Sequence, residues 1–190
     1  MRSDFEHVRT HGLRIESVDG NFDLPQVNAY CRASDMPACD VVLVALKTTQ
    51  NPLLSELLPP VVKQGSLVVM LQNGLGVEDT DAAIVGPERV FGGLCFVCSN
   101  KVAPGRVCHL DYGHITLAQY TADQTPAGIT EPLRCLAADF EEAGVCIILA
   151  DDLLTARWKK LVWNIPFNGL SVVLNARTTE MIRHEHARTL

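Results

Sequence analysis

Asp40-Val41-Val42-Leu43-Val44-Ala45-Leu46 is a continuous apolar run rich in β-branched side chains, and Ser66-Leu67-Val68-Val69-Met70-Leu71 repeats the pattern. Apolar character without alternation suits strands covered on both faces, which is the habit of parallel sheets. Between the runs, Pro52 to Lys63 carries leucines and valines at roughly helical spacing, and Gly65 follows as a stop. The segment therefore reads strand, helix, strand, with Pro59-Pro60 leaving the helix poorly defined. Such a unit is the building block of a doubly wound α/β sheet.

Working outward, His11 to Ser17 and Phe22 to Tyr30 are semi-alternating segments joined by Val18-Asp19-Gly20-Asn21, and the Asp-Gly step signals a hairpin. On the other side, Val77 to Ile84 reads as a short helix and Arg89 to Ser99 as a glycine-bearing strand. Gly105 to Leu110 and His114 to Tyr120 read as an antiparallel pair turning at Asp111-Tyr112-Gly113. Ile129 to Ala143 is an amphipathic helix stopped by Gly144, and Val145 to Ala150 a last short strand. From Asp151, a candidate N-cap with Asp152 beside it, a helical pattern runs to about Leu174. The single boundary the pattern suggests falls near residue 150, where sheet gives way to helix.

The chain has 190 residues, 47% of them hydrophobic and 20% charged, enough to bury a core. With 22 acidic against 16 basic residues and a formal charge of −6, it offers no basic stripe for nucleic acid. No stretch approaches the ~18 to 20 uncharged apolar residues of a membrane helix, and Met1 to Glu6 does not read as a signal peptide. Seven cysteines, an odd number set in apolar runs, favour a reducing compartment and a cytoplasmic protein. The pair in Cys95-Phe96-Val97-Cys98 has no partner cluster at metal-ligand spacing, so the run reads as a buried strand and no metal is expected.

Ligands of doubly wound sheets sit at the carboxyl ends of the strands. The first run ends in Leu46-Lys47-Thr48-Thr49-Gln50, placing a cation where a nucleotide ribose or phosphate would lie. The second ends in Gln72-Asn73-Gly74-Leu75-Gly76, whose glycines allow close backbone approach while Asn73 offers a donor and an acceptor. Singly these are ordinary, since a lysine after a strand is usually solvated and Asn-Gly is usually a turn. The helical segment adds Lys160, Asn164 and Asn168 at steps of four, on one face of an otherwise apolar stretch. Asparagines inside a helix are mildly unfavourable without partners, so this stripe is a candidate ligand surface, or else the solvated side of an amphipathic helix. Pro166 removes an N–H beside the stripe and is expected to kink the helix.

Together the three stretches resemble the ketopantoate reductase (2-dehydropantoate 2-reductase) family, from Arg2 to about Ile182. The order matches: Leu46-Lys47 with Gln50, then Asn73-Gly74-Leu75-Gly76, then Lys159-Lys160-Leu161 with Asn164 and Asn168. The resemblance implies an incomplete Rossmann-like nucleotide-binding sheet over residues 1–150, followed over 151–190 by the first helix of an all-α C-terminal domain. It implies NADPH-dependent reduction of 2-dehydropantoate to pantoate, on the route to pantothenate and coenzyme A. It implies Lys160 as the catalytic acid, Asn164 and Asn168 holding substrate, and Asn73 lying between nicotinamide and substrate. Lys47 and Gln50 would contact the cofactor, Cys98 would meet it through its main chain, and Arg2 would read the 2′-phosphate of NADP. A small 2-ketoacid is the expected partner, without nucleic acid or membrane, and a homodimer is compatible with the resemblance. The chemistry suits these residue types: reducing a 2-keto carbon creates an alkoxide, which an ammonium of lowered pKa both stabilises and protonates.

The family opens with a strand and a Gly-x-Gly-x-x-Gly turn, a motif that these residues do not contain, so roughly 25 to 30 residues of the nucleotide half are unmatched. The family's later serine and glutamate are likewise unmatched, and Thr178 stands where some members have a further substrate-binding asparagine. The expectation is a fragment inactive alone. Two other readings compete: a related NAD(P)-dependent 2-hydroxyacid dehydrogenase, and a non-catalytic binding or oligomerising remnant.

Overall fold

The computed structural model describes residues 2–186. In chain order the elements are α1 (Arg2–His11), β1 (Leu13–Ser17), β2 (Phe22–Leu24), β3 (Cys39–Val44), α2 (Leu54–Leu57), β4 (Val62–Met70), α3 (Asp79–Val85), β5 (Val90–Ala103), β6 (Arg106–Gln119), α4 (Glu131–Glu142), β7 (Ile147–Leu149), α5 (Leu153–Leu174) and α6 (Thr178–Arg183). The two apolar runs pair in parallel, Val41 with Leu67 through Val44 with Met70, and β4 pairs in parallel with β5. The strand order is β2-β1-β6-β5-β4-β3. β6 runs antiparallel to β5, and along its other edge takes β1 near Arg106 and β7 near Ile115, both parallel. The sheet is thus mixed, with the parallel β3-β4-β5 block at one end.

Side-chain alternation sorts the core onto two faces. Val69, Phe91 and Leu117 meet Leu133 and Leu136 of α4 on one. On the other, Val68, Met70 and Val90 pack with Leu54, Leu58, Val77 and Val85. There Leu94 and Ala118 also receive Leu153 and Ala156 from the first turns of α5. Each fully buried Leu or Phe contributes roughly 1.5 to 3 kcal/mol, so these contacts hold α5 to the sheet by its N-terminal end. The cap is Asp152, whose carboxylate accepts Thr155 N–H at 3.1 Å and the Thr155 hydroxyl at 2.6 Å. These hydrogen bonds hold its carboxyl below the usual range. The helix continues through Pro166 and ends at Asn175 in the left-handed region. Val162, Trp163, Ile165, Val172 and Val173 along it are exposed.

Several expectations are corrected. Asp111-Tyr112-Gly113 does not reverse the chain: β6 runs straight through it, and Tyr112 and Gly113 adopt positive φ at a bulge opposite Phe96 and Val97. The reversal is at Pro104-Gly105, where Gly105 (φ 64) lets Ala103 pair with Arg106. The helix expected from Pro52 to Lys63 shrinks to a 3₁₀ segment, Thr48–Leu53, and the single turn of α2, because Pro59-Pro60 stops it and β4 begins at Val62. The α5 cap is Asp152 rather than Asp151. α1 had no sequence signal. The cysteines are not core hydrophobes throughout: all are free thiols, and Cys31, Cys98, Cys135 and Cys146 are exposed. No helix among the described residues is long and apolar enough to cross a membrane.

Candidate active site

The carboxyl ends of β3 and β4, the middle of β5 and the stretch of α5 from Lys160 to Asn168 carry the predicted residues. Lys47 follows β3 and accepts Gln50 N–H on its main-chain oxygen at 2.8 Å; both side chains are exposed. Asn73 follows β4 and is exposed. Cys98 lies on β5, exposed and in register with Asp111. Arg2 opens α1, and its side chain lies outside the described residues.

Lys160 is half-buried, and its Nζ donates to the main-chain oxygen of Cys95 at 2.5 Å. Burial holds its pKa below the usual lysine range; the Cys95 thiol opposes this and the Arg157 guanidinium adds to it. Burial in turn pushes the Cys95 thiol up, against the pull of Lys160 and Arg157. Asn164 is half-buried and Asn168 exposed, and among the described residues the amides of Asn73, Asn164 and Asn168 have no hydrogen-bond partner. Their polar groups are therefore available to a ligand. A cavity of 470 Å³ lies between α5 and β5, β6 and β7, lined by Lys159, Lys160, Trp163, Phe96, His114 and Thr155. None of the three asparagines borders it.

What joins these pieces is a residue that sequence reading passed over. Arg157, one turn before Lys160, is buried with Glu78 in an ion pair and donates to the main-chain oxygens of Gln72 and Met70. It therefore ties α5 to the turn that bears Asn73. The available signal was a pair of charges, Glu78 and Arg157, each set beside apolar residues that the fold buries. By contrast, no side-chain hydrogen bond or ion pair links Lys47, Gln50 or Cys98 to α5 among the described residues.

A parallel block carrying polar side chains and a glycine turn at its carboxyl ends, flanked by a helix presenting a half-buried lysine, defines a Rossmann-like α/β fold. The chain belongs to the ketopantoate reductase family. The model described as "Ketopantoate reductase PanE/ApbA" matches residues 1–122, and that described as "Ketopantoate reductase PanE/ApbA C terminal" matches residues 152–190. The chain is 57% identical, over its whole length, to a 2-dehydropantoate 2-reductase from Nostoc sp., of which it covers 60%. A crystal structure of 2-dehydropantoate 2-reductase from Geobacter metallireducens GS-15 superposes with a TM-score of 0.93 at 41% identity, covering all of this chain and 61% of that one. A D-mandelate dehydrogenase solved with NADH and anilino(oxo)acetate shares the fold, with a TM-score of 0.86 at 19% identity. The chain spans about 60% of the length of the Nostoc relative.

Proposed function

We propose that this chain is part of an NADPH-dependent reductase that converts 2-dehydropantoate to pantoate, on the route to pantothenate and coenzyme A in the cytoplasm. The observation that carries the reading is Lys160, a lysine of lowered pKa fixed between α5 and β5. NADPH, when bound, would supply a hydride. Lys160 then holds the proton that the new alkoxide requires, and its positive charge stabilises the developing oxyanion. Asn164 and Asn168, neutral and unpartnered, orient the substrate without adding a competing charge.

The residues present fit the nicotinamide half of the cofactor. Asn73 leads a turn whose Gly74 and Gly76 take φ of 116 and 67, leaving backbone that a ring can approach. Lys47 and Gln50 would hold the adjoining portion, the main chain of Cys98 would contribute, and Arg2 would meet the 2′-phosphate. Residues 1–150 are then part of the dinucleotide-binding unit and 151–190 the start of the helical one.

The test is steady-state kinetics on a full-length protein carrying this sequence, with 2-dehydropantoate and each dinucleotide. The expected result is turnover with a higher kcat/KM for NADPH, and a preference that Arg2→Ala abolishes. Turnover of another 2-ketoacid in place of 2-dehydropantoate, or a ratio unmoved by Arg2→Ala, overturns the substrate or the cofactor assignment respectively.

A further inference from the structure

The side chains of Arg157 and Glu78 are each 3% exposed. Arg157 Nε donates to Glu78 Oε1 at 3.0 Å, and Nη2 donates to the same oxygen. Nη1 donates to the Gln72 main-chain oxygen and Nη2 reaches that of Met70 at 3.4 Å. A guanidinium out of water needs partners for its fork of donors, and one carboxylate with two carbonyls supplies them. The two carbonyls belong to the last residue of β4 and to the residue preceding Asn73. Space for the carboxylate is made on β5: a Cβ on Gly92 would stand 2.9 Å from Glu78 Oε1 and 2.3 Å from Leu153 Cδ1. Three residues beyond Arg157, on the same helix, Lys160 is fixed to Cys95. Arg157 and Lys160 therefore bind one rigid segment of α5 to the end of β4 and to the middle of its neighbour β5.

We propose that Arg157, oriented by Glu78, is a positioning residue that sets the Asn73 turn relative to Lys160. The proposal rests on the reductase reading, in which Asn73 lies between nicotinamide and substrate. An apolar pair of similar volume would pack α5 against the sheet equally well, but would aim nothing at the Gln72 carbonyl. The guanidinium fork is directional, so shortening or flattening it releases the turn while leaving the surrounding core in place.

The experiment compares wild type, Arg157→Met, Arg157→Lys and Glu78→Gln in the full-length protein by amide hydrogen exchange. In Arg157→Met the Leu71 amide, which donates to Val44 at 2.9 Å and lies between the two carbonyls that Arg157 holds, is expected to exchange faster by roughly tenfold or more, with the α4 and β7 amides unchanged and Arg157→Lys intermediate. An unchanged Leu71 amide, or acceleration spread evenly over the sheet, overturns the proposal. If Arg157→Met does not fold, Arg157→Lys and Glu78→Gln give the same comparison. A second arm measures kcat for Arg157→Lys, Asn73→Ala and the double variant. Arg157 acting through Asn73 predicts that the double variant loses no more than Asn73→Ala alone, whereas additive losses contradict it. Absence of any 2-ketoacid turnover in wild type would sink the reductase reading, and hydrogen exchange would still decide whether Arg157 holds the turn.

Discussion

Lys160 donates to the carbonyl of Cys95 across 2.5 Å, so the candidate acid on α5 is tethered to the main chain of β5 rather than to another side chain. A backbone acceptor cannot be removed by substituting Cys95, which makes Lys160 itself the point at which the arrangement is tested.

In a full-length protein carrying this sequence, Lys160→Ala is expected to lower kcat by ~10²- to 10⁴-fold, the usual range for loss of a general acid. Cofactor affinity should change far less, because the contribution of Lys160 is made mainly in the transition state. Steady-state kinetics with a separate cofactor titration decide this. A loss confined to KM reassigns Lys160 to substrate binding.

The pH profile follows from the direction of the Lys160 shift. The acid must carry its proton, so kcat/KM falls as pH rises through the lowered pKa, and the alkaline limb lies below that of an ordinary lysine. Lys160→Arg should lose that limb along with most of the rate, since a guanidinium keeps its proton. An alkaline limb at an ordinary lysine value, unaffected by substitution, would assign it to another group.

Asp81 is fully buried on α3, and among the described residues neither of its carboxyl oxygens has a hydrogen-bond partner. Burial first, and the charge of Glu78 second, push its pKa up to about 7. The folded state keeps a proton that the unfolded chain has released, so the contribution of Asp81 to stability is greatest below about pH 4, declines as pH rises towards 7 and levels off above. The whole effect is at most about 4 kcal/mol, reduced by whatever solvent screening reaches the site. Urea midpoints from pH 4 to 8 should show this slope in wild type and lose it in Asp81→Asn; parallel profiles would mean that Asp81 does not titrate in this window.

The close approach at Gly92 is expected to make Gly92→Ala destabilising by about 1 to 3 kcal/mol, through overpacking against Leu153 and Glu78. Chemical denaturation measures it. Shortening Leu153 to Ala in the same chain should recover only part, because the contact with Glu78 persists; an unchanged midpoint in Gly92→Ala would show that α5 shifts freely.

Purified residues 1–190 alone are expected neither to bind NADPH tightly nor to reduce 2-dehydropantoate. Residues 1–190 contain no Gly-x-Gly-x-x-Gly turn of the kind that lays a pyrophosphate on a helix N-terminus. The stripe of Lys160, Asn164 and Asn168 continues into a helix whose Val162, Ile165, Val172 and Val173 face solvent. Fluorescence titration showing micromolar NADPH affinity would mean that other residues of this chain cradle the phosphates.

The parts legible in the sequence were those whose signal is local. Val41 to Val44 and Leu67 to Met70 announce buried parallel strands because every side chain is apolar, and Asp19-Gly20 announces its turn because few other residues fit one. The four-residue spacing put Lys160, Asn164 and Asn168 on one helix, but spacing cannot report that only Lys160 borders the cavity. α1 was missed because Phe5 and Val8 are its only large apolar side chains. Tyr112-Gly113 misled because a bulge and a reversal draw on the same positive-φ residues. Arg157 and Asp81 drew no sequence reading: what buries them is tertiary, and Glu78 is distant from Arg157 in the chain.

The buried pair also constrains how this sequence can drift. Losing Glu78 first strands a guanidinium, and losing Arg157 first strands a carboxylate, each step costing about 3 to 5 kcal/mol. Replacing both with apolar residues of similar volume can be nearly neutral for stability, so the intermediates are worse than either end point. A pairwise mutational scan should find sign epistasis between positions 78 and 157, and natural variants should change the two together or not at all.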